Sequence, residues 1–234
     1  MEKTLIKLQL LVFFCFLCTL LVAQDTDFGS WSSLEVSKKI DNRMKLIVGE
    51  EFRLRNDLRT TDKFETAIGL EYGLGSYVKA GVSYSMINYF HPRDDYHEHN
   101  FFELRHRFNV YGEGEYTLGR FDFTLRERVQ STYTVLDSLS TAKINPKFVL
   151  RSKAGVSYNI KGSPLEPFAF FEFFNSLDKG SSALKFTSYR WSTGLKYALN
   201  KKLSVKLGYL FTSDVDNDEA NRSNVLTIGF GYKL

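Results

Sequence analysis

From Met44 to Leu234 the chain alternates apolar and polar residues with a period of two, segment after segment, and no stretch of comparable length keeps the period of a helix. Met44, Leu46, Val48, Phe52 and Leu54 share one parity, with Lys45, Glu51, Arg53 and Arg55 on the other. Phe64, Thr66, Ile68, Leu70 and Tyr72 oppose Glu65, Ala67, Gly69, Glu71 and Gly73. The same split recurs over Val78–Met86, Phe102–Val110, Phe121–Gln130, Phe148–Tyr158, Arg190–Tyr197, Leu203–Phe211 and Leu226–Leu234, with a shorter Phe-rich strand at Pro167–Asn175 around Glu172. A period of two puts successive side chains on opposite faces of a strand. The chain is therefore all-β.

Alternation does not say which face points outward. Three features decide it. The segments run to about 10 to 15 residues, whereas strands of soluble proteins average about five or six and a membrane-crossing strand needs roughly 9 to 11. The apolar parity is crowded with rings, drawn from 21 Phe, 13 Tyr and 2 Trp, in a chain whose mean hydropathy is −0.24. Rings gather at the two interfaces of a membrane barrel, and a polar interior reconciles the aromatic excess with the negative hydropathy. The connections also alternate: short at Lys38–Arg43, Leu74–Ser76, Thr117–Arg120, Lys161–Pro164 and Asn200–Lys201, longer at Asn56–Asp62, His91–Asn100, Leu136–Asn145, Ser176–Leu184 and Asp214–Arg222. These features predict an antiparallel transmembrane up-and-down β-barrel of ten to twelve strands, with a soluble β-barrel as the competing architecture. From Met44 onward the strands number ten and close consistently. Asp27–Ile40 is then an additional strand, a piece inserted in the lumen, or half of a hairpin that makes twelve.

The first 23 residues stand apart. Lys3 and Lys7 precede an apolar run from Leu8 to Ala23, the pattern of a cleaved signal peptide, which leaves residues 24–234 as a single barrel domain of the bacterial outer membrane. Cys15 and Cys18 both fall in that leader, so the mature chain has no disulfide, thiolate metal site or Cys nucleophile. Losing Glu2, Lys3 and Lys7 takes the net charge from +4 to +3, too mild to suggest nucleic acid. At the other end Thr227, Gly229, Tyr232 and Leu234 fit the polar–Gly–aromatic–hydrophobic spacing of a recognition strand read by the barrel-assembly machinery, capture by strand addition being the physical basis. The expected partners are that machinery and outer-membrane lipid, and the expected state is a monomer.

The runs Trp31-Ser32-Ser33-Leu34-Glu35, Glu50-Glu51-Phe52-Arg53, Glu103-Leu104-Arg105, Leu125-Arg126-Glu127-Arg128 and Gly194-Leu195-Lys196-Tyr197 resemble the outer-membrane family labelled domain of unknown function 2490. The resemblance spans essentially the whole mature chain. It implies the barrel and its location and brings no activity with it.

Turning the polar parity inward gathers Glu51, Arg53, Arg55, Glu65, Glu71, Glu103, Arg105, Arg107, Arg126, Arg128, Arg151, Lys153, Glu172, Arg190 and Lys196 in the lumen, where Arg and Lys outnumber Glu. Such charges either cross-link the wall and fill it or form a basic constriction that prefers anions. His97-Glu98-His99 beside Asp94 and Asp95 could hold a divalent metal, but the spacing matches no zinc signature and no cofactor is expected. A hydrolase on the outer wall needs Ser or Thr beside His; Ser85, Ser188 and Thr187 are the candidates, with His106 on the apolar parity. The expectation is thus a non-enzymatic barrel, either structural or a narrow anion-biased passage, with a barrel enzyme acting on lipid or surface substrates as the alternative.

Overall fold

The computed structural model describes residues 26–93, 99–135, 146–177, 184–215 and 222–234. These form eleven strands and no helix: β1 Asp27–Lys39, β2 Met44–Arg55, β3 Thr60–Gly73, β4 Val78–His91, β5 Phe101–Leu118, β6 Phe121–Thr134, β7 Lys147–Tyr158, β8 Leu165–Ser176, β9 Lys185–Ala198, β10 Leu203–Asp214 and β11 Arg222–Lys233. They close into one barrel in chain order. Twelve residues tilted at roughly 45° rise about 28 Å, enough to cross a hydrocarbon layer.

The odd count is resolved at the seam. Every neighbouring pair is antiparallel except β1 and β11, which run parallel from Asp27↔Ser223 to Ser37↔Lys233. The expectation that ten strands from Met44 close by themselves is therefore corrected: β1 lies between β2 and β11 as a full wall strand. Residues 27–39 are neither a lumen insert nor part of a twelfth-strand hairpin.

The hairpin ends show their local chemistry. At the end where β1 finishes, Asp41 Oδ1 accepts the backbone N–H groups of Arg43 and Met44, both at 2.7 Å, and these bonds hold its pKa below the usual carboxylate range. Asn200 Oδ1 does the same for Lys202 and Leu203 at 2.8 Å. Gly119 supplies the positive φ of 63° that the two-residue β5–β6 hairpin requires. At the opposite end one expectation changes. Asn56–Asp62 is not a long connection; Asn56, Asp57 and Leu58 take left-handed backbone angles and turn the chain within four residues, so β3 starts at Thr60. The alternation of short and long connections thus has this one exception. The leader expected at Met1–Ala23 lies outside the described residues.

The molecule is inverted relative to a soluble protein. Among the described residues the buried apolar side chains are Ile87, Tyr111, Leu210 and Val225, while Lys63, Glu71, Ser85, Asn109, Glu113, Glu172, Ser192 and Ser213 are buried and polar. Phe52, Phe64, Ile68, Val82, Phe108, Val110, Leu125, Val129, Phe171, Leu195, Leu207 and Phe230 are exposed on the outer wall. Rings cluster there, as in Tyr84–Phe108 at 5.1 Å, Phe171–Phe173 at 4.7 Å and Trp191–Tyr209 at 5.4 Å. Two carboxylates share this wall by parity, each satisfied by a neighbouring hydroxyl: Thr66 Oγ1 donates to Glu50 at 2.9 Å and Ser152 Oγ to Glu127 at 2.6 Å.

Candidate functional site

Pairing aligns the polar parities of adjacent strands, so the inward side chains of the eleven strands meet in one cavity of ≈ 540 Å³. Glu51, Arg53, Glu65, Glu71, Arg107, Arg126, Arg128, Arg151 and Arg190 border it. Glu172 lies behind Arg151 and Arg190 and is 3% exposed. Lys153 rests on Phe170, and Lys196 is held by Glu166 at 3.0 Å. The remaining expected residues sit apart at the end with the long connections. There Arg55 lies 4.0 Å from Asp62, and Glu103 binds Arg105 at 2.6 Å and His91 at 2.9 Å.

The two sides of the lumen differ in how their charges are matched. On β2 to β5 each inward cation has a carboxylate, often one it shares with a neighbour. Lys63, 2% exposed, bridges Glu65 and Glu51; Arg53 Nε donates to Glu51 at 2.7 Å and Arg107 reaches Glu65 at 3.3 Å. Lys45 holds Glu71 at 2.7 Å, Lys79 contacts Glu71, Glu113 and Glu115, and the Tyr111 hydroxyl donates to Glu71 at 3.1 Å. This side cross-links itself.

On β6 to β10 the cations outrun their partners. Three like-charged pairs stand directly opposite one another across strands: Arg126↔Lys153, Arg128↔Arg151 and Lys196↔Lys206. Such pairs cost roughly 0.2–1 kcal/mol each. In each, one member has a carboxylate: Glu113 for Arg126, Glu172 for Arg151 and Glu166 for Lys196. The other member has none among the described residues. Arg128 Nε is buried with no hydrogen-bond partner. Lys153 faces Glu172 in register, but Arg151 takes Oε1 at 3.0 Å and Arg190 takes Oε2 at 2.6 Å. Lys153 and Lys206 instead lie over the Phe170 and Phe168 rings, at 3.8 and 4.3 Å from the centroids. A ring face holds a cation in place without neutralising it.

Several of these residues escaped the sequence expectations. Lys63 is two positions before Glu65 on the same parity, and Glu113 two after Tyr111, so extending the alternation to the strand ends would have found both. The inward Phe168, Phe170 and Phe174 of β8 carry no such signal, because that strand is aromatic on both faces. Trp31 is likewise inward, with Arg53 3.4 Å from its ring centroid and Arg190 at 5.7 Å.

The hydrolase candidates are not brought together with a histidine. Ser85 is buried in the lumen across from Arg107, and Thr187 Oγ1 donates to the Phe174 carbonyl. Ser188 lies opposite Phe174 on β9. His106, on the outer wall, contacts the Tyr84 hydroxyl through Nδ1 at 2.6 Å. Of the candidate metal ligands, Asp94, Asp95, His97 and Glu98 lie outside the described residues, and His99 is described. The described residues hold no group of three or more His, Cys, Asp or Glu able to bind a metal ion. The four C-terminal recognition positions belong to β11 and its end. Thr227 borders the cavity, a Cβ on Gly229 would meet Ser33, Tyr232 is on the outer face, and Leu234 is 62% exposed.

A family model described as "Protein of unknown function (DUF2490)" matches residues 28–224. No curated protein matches the sequence. Among solved structures, one described as the NanC porin is 16% identical, with a TM-score of 0.52 over 89% of this chain and 98% of that one. The β domain of the Bordetella autotransporter BrkA is 12% identical, with a TM-score of 0.45 over 83% of this chain and 85% of that one. The fold is that of outer-membrane barrels.

Proposed function

Because the chain belongs to the family described as Protein of unknown function (DUF2490), which carries no activity to transfer, we propose its role from its own lumen: a non-enzymatic outer-membrane barrel that passes small anions. The observation that carries this reading is the set of cations on β6, β7 and β10, Arg128, Lys153 and Lys206, that form no ion pair with a described carboxylate, since Glu172 and Glu166 are held by Arg151, Arg190 and Lys196. Excess inward Arg and Lys favour anions in a narrow pore. The apolar outer wall, the leader of residues 1–23 and the C-terminal Thr227, Gly229, Tyr232 and Leu234 fit export, recognition by the assembly machinery and residence in lipid. The likeness to a porin supports the fold alone.

Planar-bilayer recording tests the passage. In a KCl gradient the expected result is small, discrete steps whose reversal potential is displaced toward that of chloride. A second reading, a closed structural barrel, is favoured by the Glu51–Lys63–Glu65 bridge, and it predicts no steps at all. A cation-selective pore sinks both.

The two tryptophans test the placement of the wall. Trp191 stands on the outer face with Tyr209 and Phe211, whereas Trp31 borders the lumen. With Trp31→Phe, the remaining Trp191 emission should be quenched by brominated lipid. With Trp191→Phe, the remaining Trp31 emission should resist brominated lipid and respond to iodide in preference to caesium. Equal response of both variants to brominated lipid would overturn the inside-outside assignment.

A further inference from the structure

Arg128, Lys153 and Lys206 are not spread evenly around the lumen. Arg128 and Lys153 are diagonal neighbours on β6 and β7, since Arg128 pairs with Arg151 and Lys153 with Arg126. Lys153 and Lys206 lean from opposite sides onto Phe170 and Phe168, two residues apart on the inward face of β8. Lys153 stands opposite Arg126 in the β6–β7 register and Arg128 opposite Arg151, so each faces a like charge directly. A lumen built only to be filled would match these cations as β2 to β5 match theirs, with Lys63 between Glu51 and Glu65. Here the fold tolerates the repulsion: Glu172 is already held by Arg151 and Arg190 and Glu166 by Lys196, and Glu35 across the cavity forms no ion pair with Arg128, Lys153 or Lys206.

Resting on the reading of the lumen as an anion passage, we infer that Arg128, Lys153 and Lys206, with the rings of Phe168 and Phe170, form a discrete binding site for an organic oxyanion. The ligand carries a carboxylate or phosphate group on an apolar or ring-shaped body. Two observations set that class. Arg128 borders the cavity and its Nε is buried without a hydrogen-bond partner, so its planar guanidinium is not committed to a protein carboxylate and suits an oxyanion with two acceptor oxygens. Phe168 and Phe170 border the same cavity, and its ≈ 540 Å³ is room for a small organic molecule, far more than a bare ion occupies. The oxyanion docks at Arg128, which borders the cavity with Lys206; Lys153, seated over Phe170 just behind that lining, adds its charge to the same end, and the ligand body lies along the β8 rings toward Lys206.

The test uses the full refolded barrel, with benzoate, inorganic phosphate and the neutral benzyl alcohol as probes, read by calorimetry in detergent and by block of the chloride current in bilayers. Benzoate should bind saturably and more tightly than phosphate, and benzyl alcohol should not bind. The double variant Arg128→Gln, Lys153→Gln should weaken benzoate by roughly tenfold or more, since hydrogen bonds to charged groups are lost. Arg128→Lys with Lys153→Arg, which keeps both charges, should restore part of the affinity. Heat-modifiable migration verifies that each variant is folded; because the substitutions remove repulsion, it should be unchanged. If chloride selectivity is present but benzoate fails to bind, or binds equally to the Gln double variant, the site is overturned and the passage reading stands. If benzoate binds through these residues but the barrel shows no anion preference, the passage reading falls and the site stands.

Discussion

Replacing Glu172 by Gln should destabilise the folded barrel by about 3 kcal/mol, because breaking a buried ion pair by removing one partner leaves the other charges uncompensated. Glu172 is the carboxylate held at once by Arg151 and Arg190, with side-chain exposures of 4%, 11% and 16%. Its loss leaves Arg151, Arg190, Lys153 and Arg128 facing one another across β6 to β9. Asp at this position is one methylene shorter and cannot keep both bonds, so Glu172→Asp should fall between Gln and the native protein. The measurement is the urea midpoint of the barrel in lipid vesicles, with heat-modifiable migration as a second readout. The Gln variant that does fold should also be more anion-selective, since it has lost the one carboxylate among these cations. An unchanged midpoint would show that water in the lumen screens the cluster.

Gly194→Val should cost a comparable amount through shape. Gly194 stands opposite Gly208 on β10 and Phe168 on β8. A Cβ there would lie 2.3 Å from the Leu207 carbonyl oxygen, 2.6 Å from the Gly208 Cα and 2.8 Å from the tip of the Phe168 ring. Two of those three neighbours are backbone, so the side chain cannot be accommodated by a rotamer change, and β9 must part from β10. Overpacking usually costs 1–3 kcal/mol, and the backbone contacts put this case at about 3 kcal/mol. Trimming the ring with Phe168→Ala in the same chain should recover little of the loss. Full recovery would assign the strain to the ring and not to the approach of the two strands. A Gly194→Val protein with native stability would mean that β9 and β10 are not held this closely.

Much of this architecture was legible from residue alternation, and the failures have a common cause. Alternation reports what lies on one strand, so the strands from Met44 onward could be read from it, and with them the parity of charged residues such as Glu51 and Arg126. It does not report which strands are neighbours when they are distant in the chain. The parallel seam between Asp27 and Ser223 is such a case: nothing local to Trp31-Ser32-Ser33-Leu34 distinguishes a wall strand paired with the C-terminus from a lumen insert. The unequal matching of charge across the lumen was hidden for the same reason. Arg and Lys do outnumber Glu on the polar parity, but only the register shows that Glu172 is already taken by Arg151 and Arg190 while Lys153 opposite it is left over. On β8 the signal itself failed, because Phe on both parities gives no contrast from which to choose a face.

The parallel seam also decides the sidedness of the chain. An even antiparallel ring returns both of its ends to the face from which it started. Eleven crossings do not: Asp27 begins beside Ser223 at the rim with the long connections, whereas Leu234 ends beside Ser37, donating its N–H to that carbonyl at 2.9 Å, at the rim with the Asp41 and Asn200 turns. An epitope fused just before Asp27 and one fused after Leu234 would therefore be reached from opposite sides of the same membrane. The ring also cannot be completed by folding one more hairpin, because its last joint unites the first strand with the last.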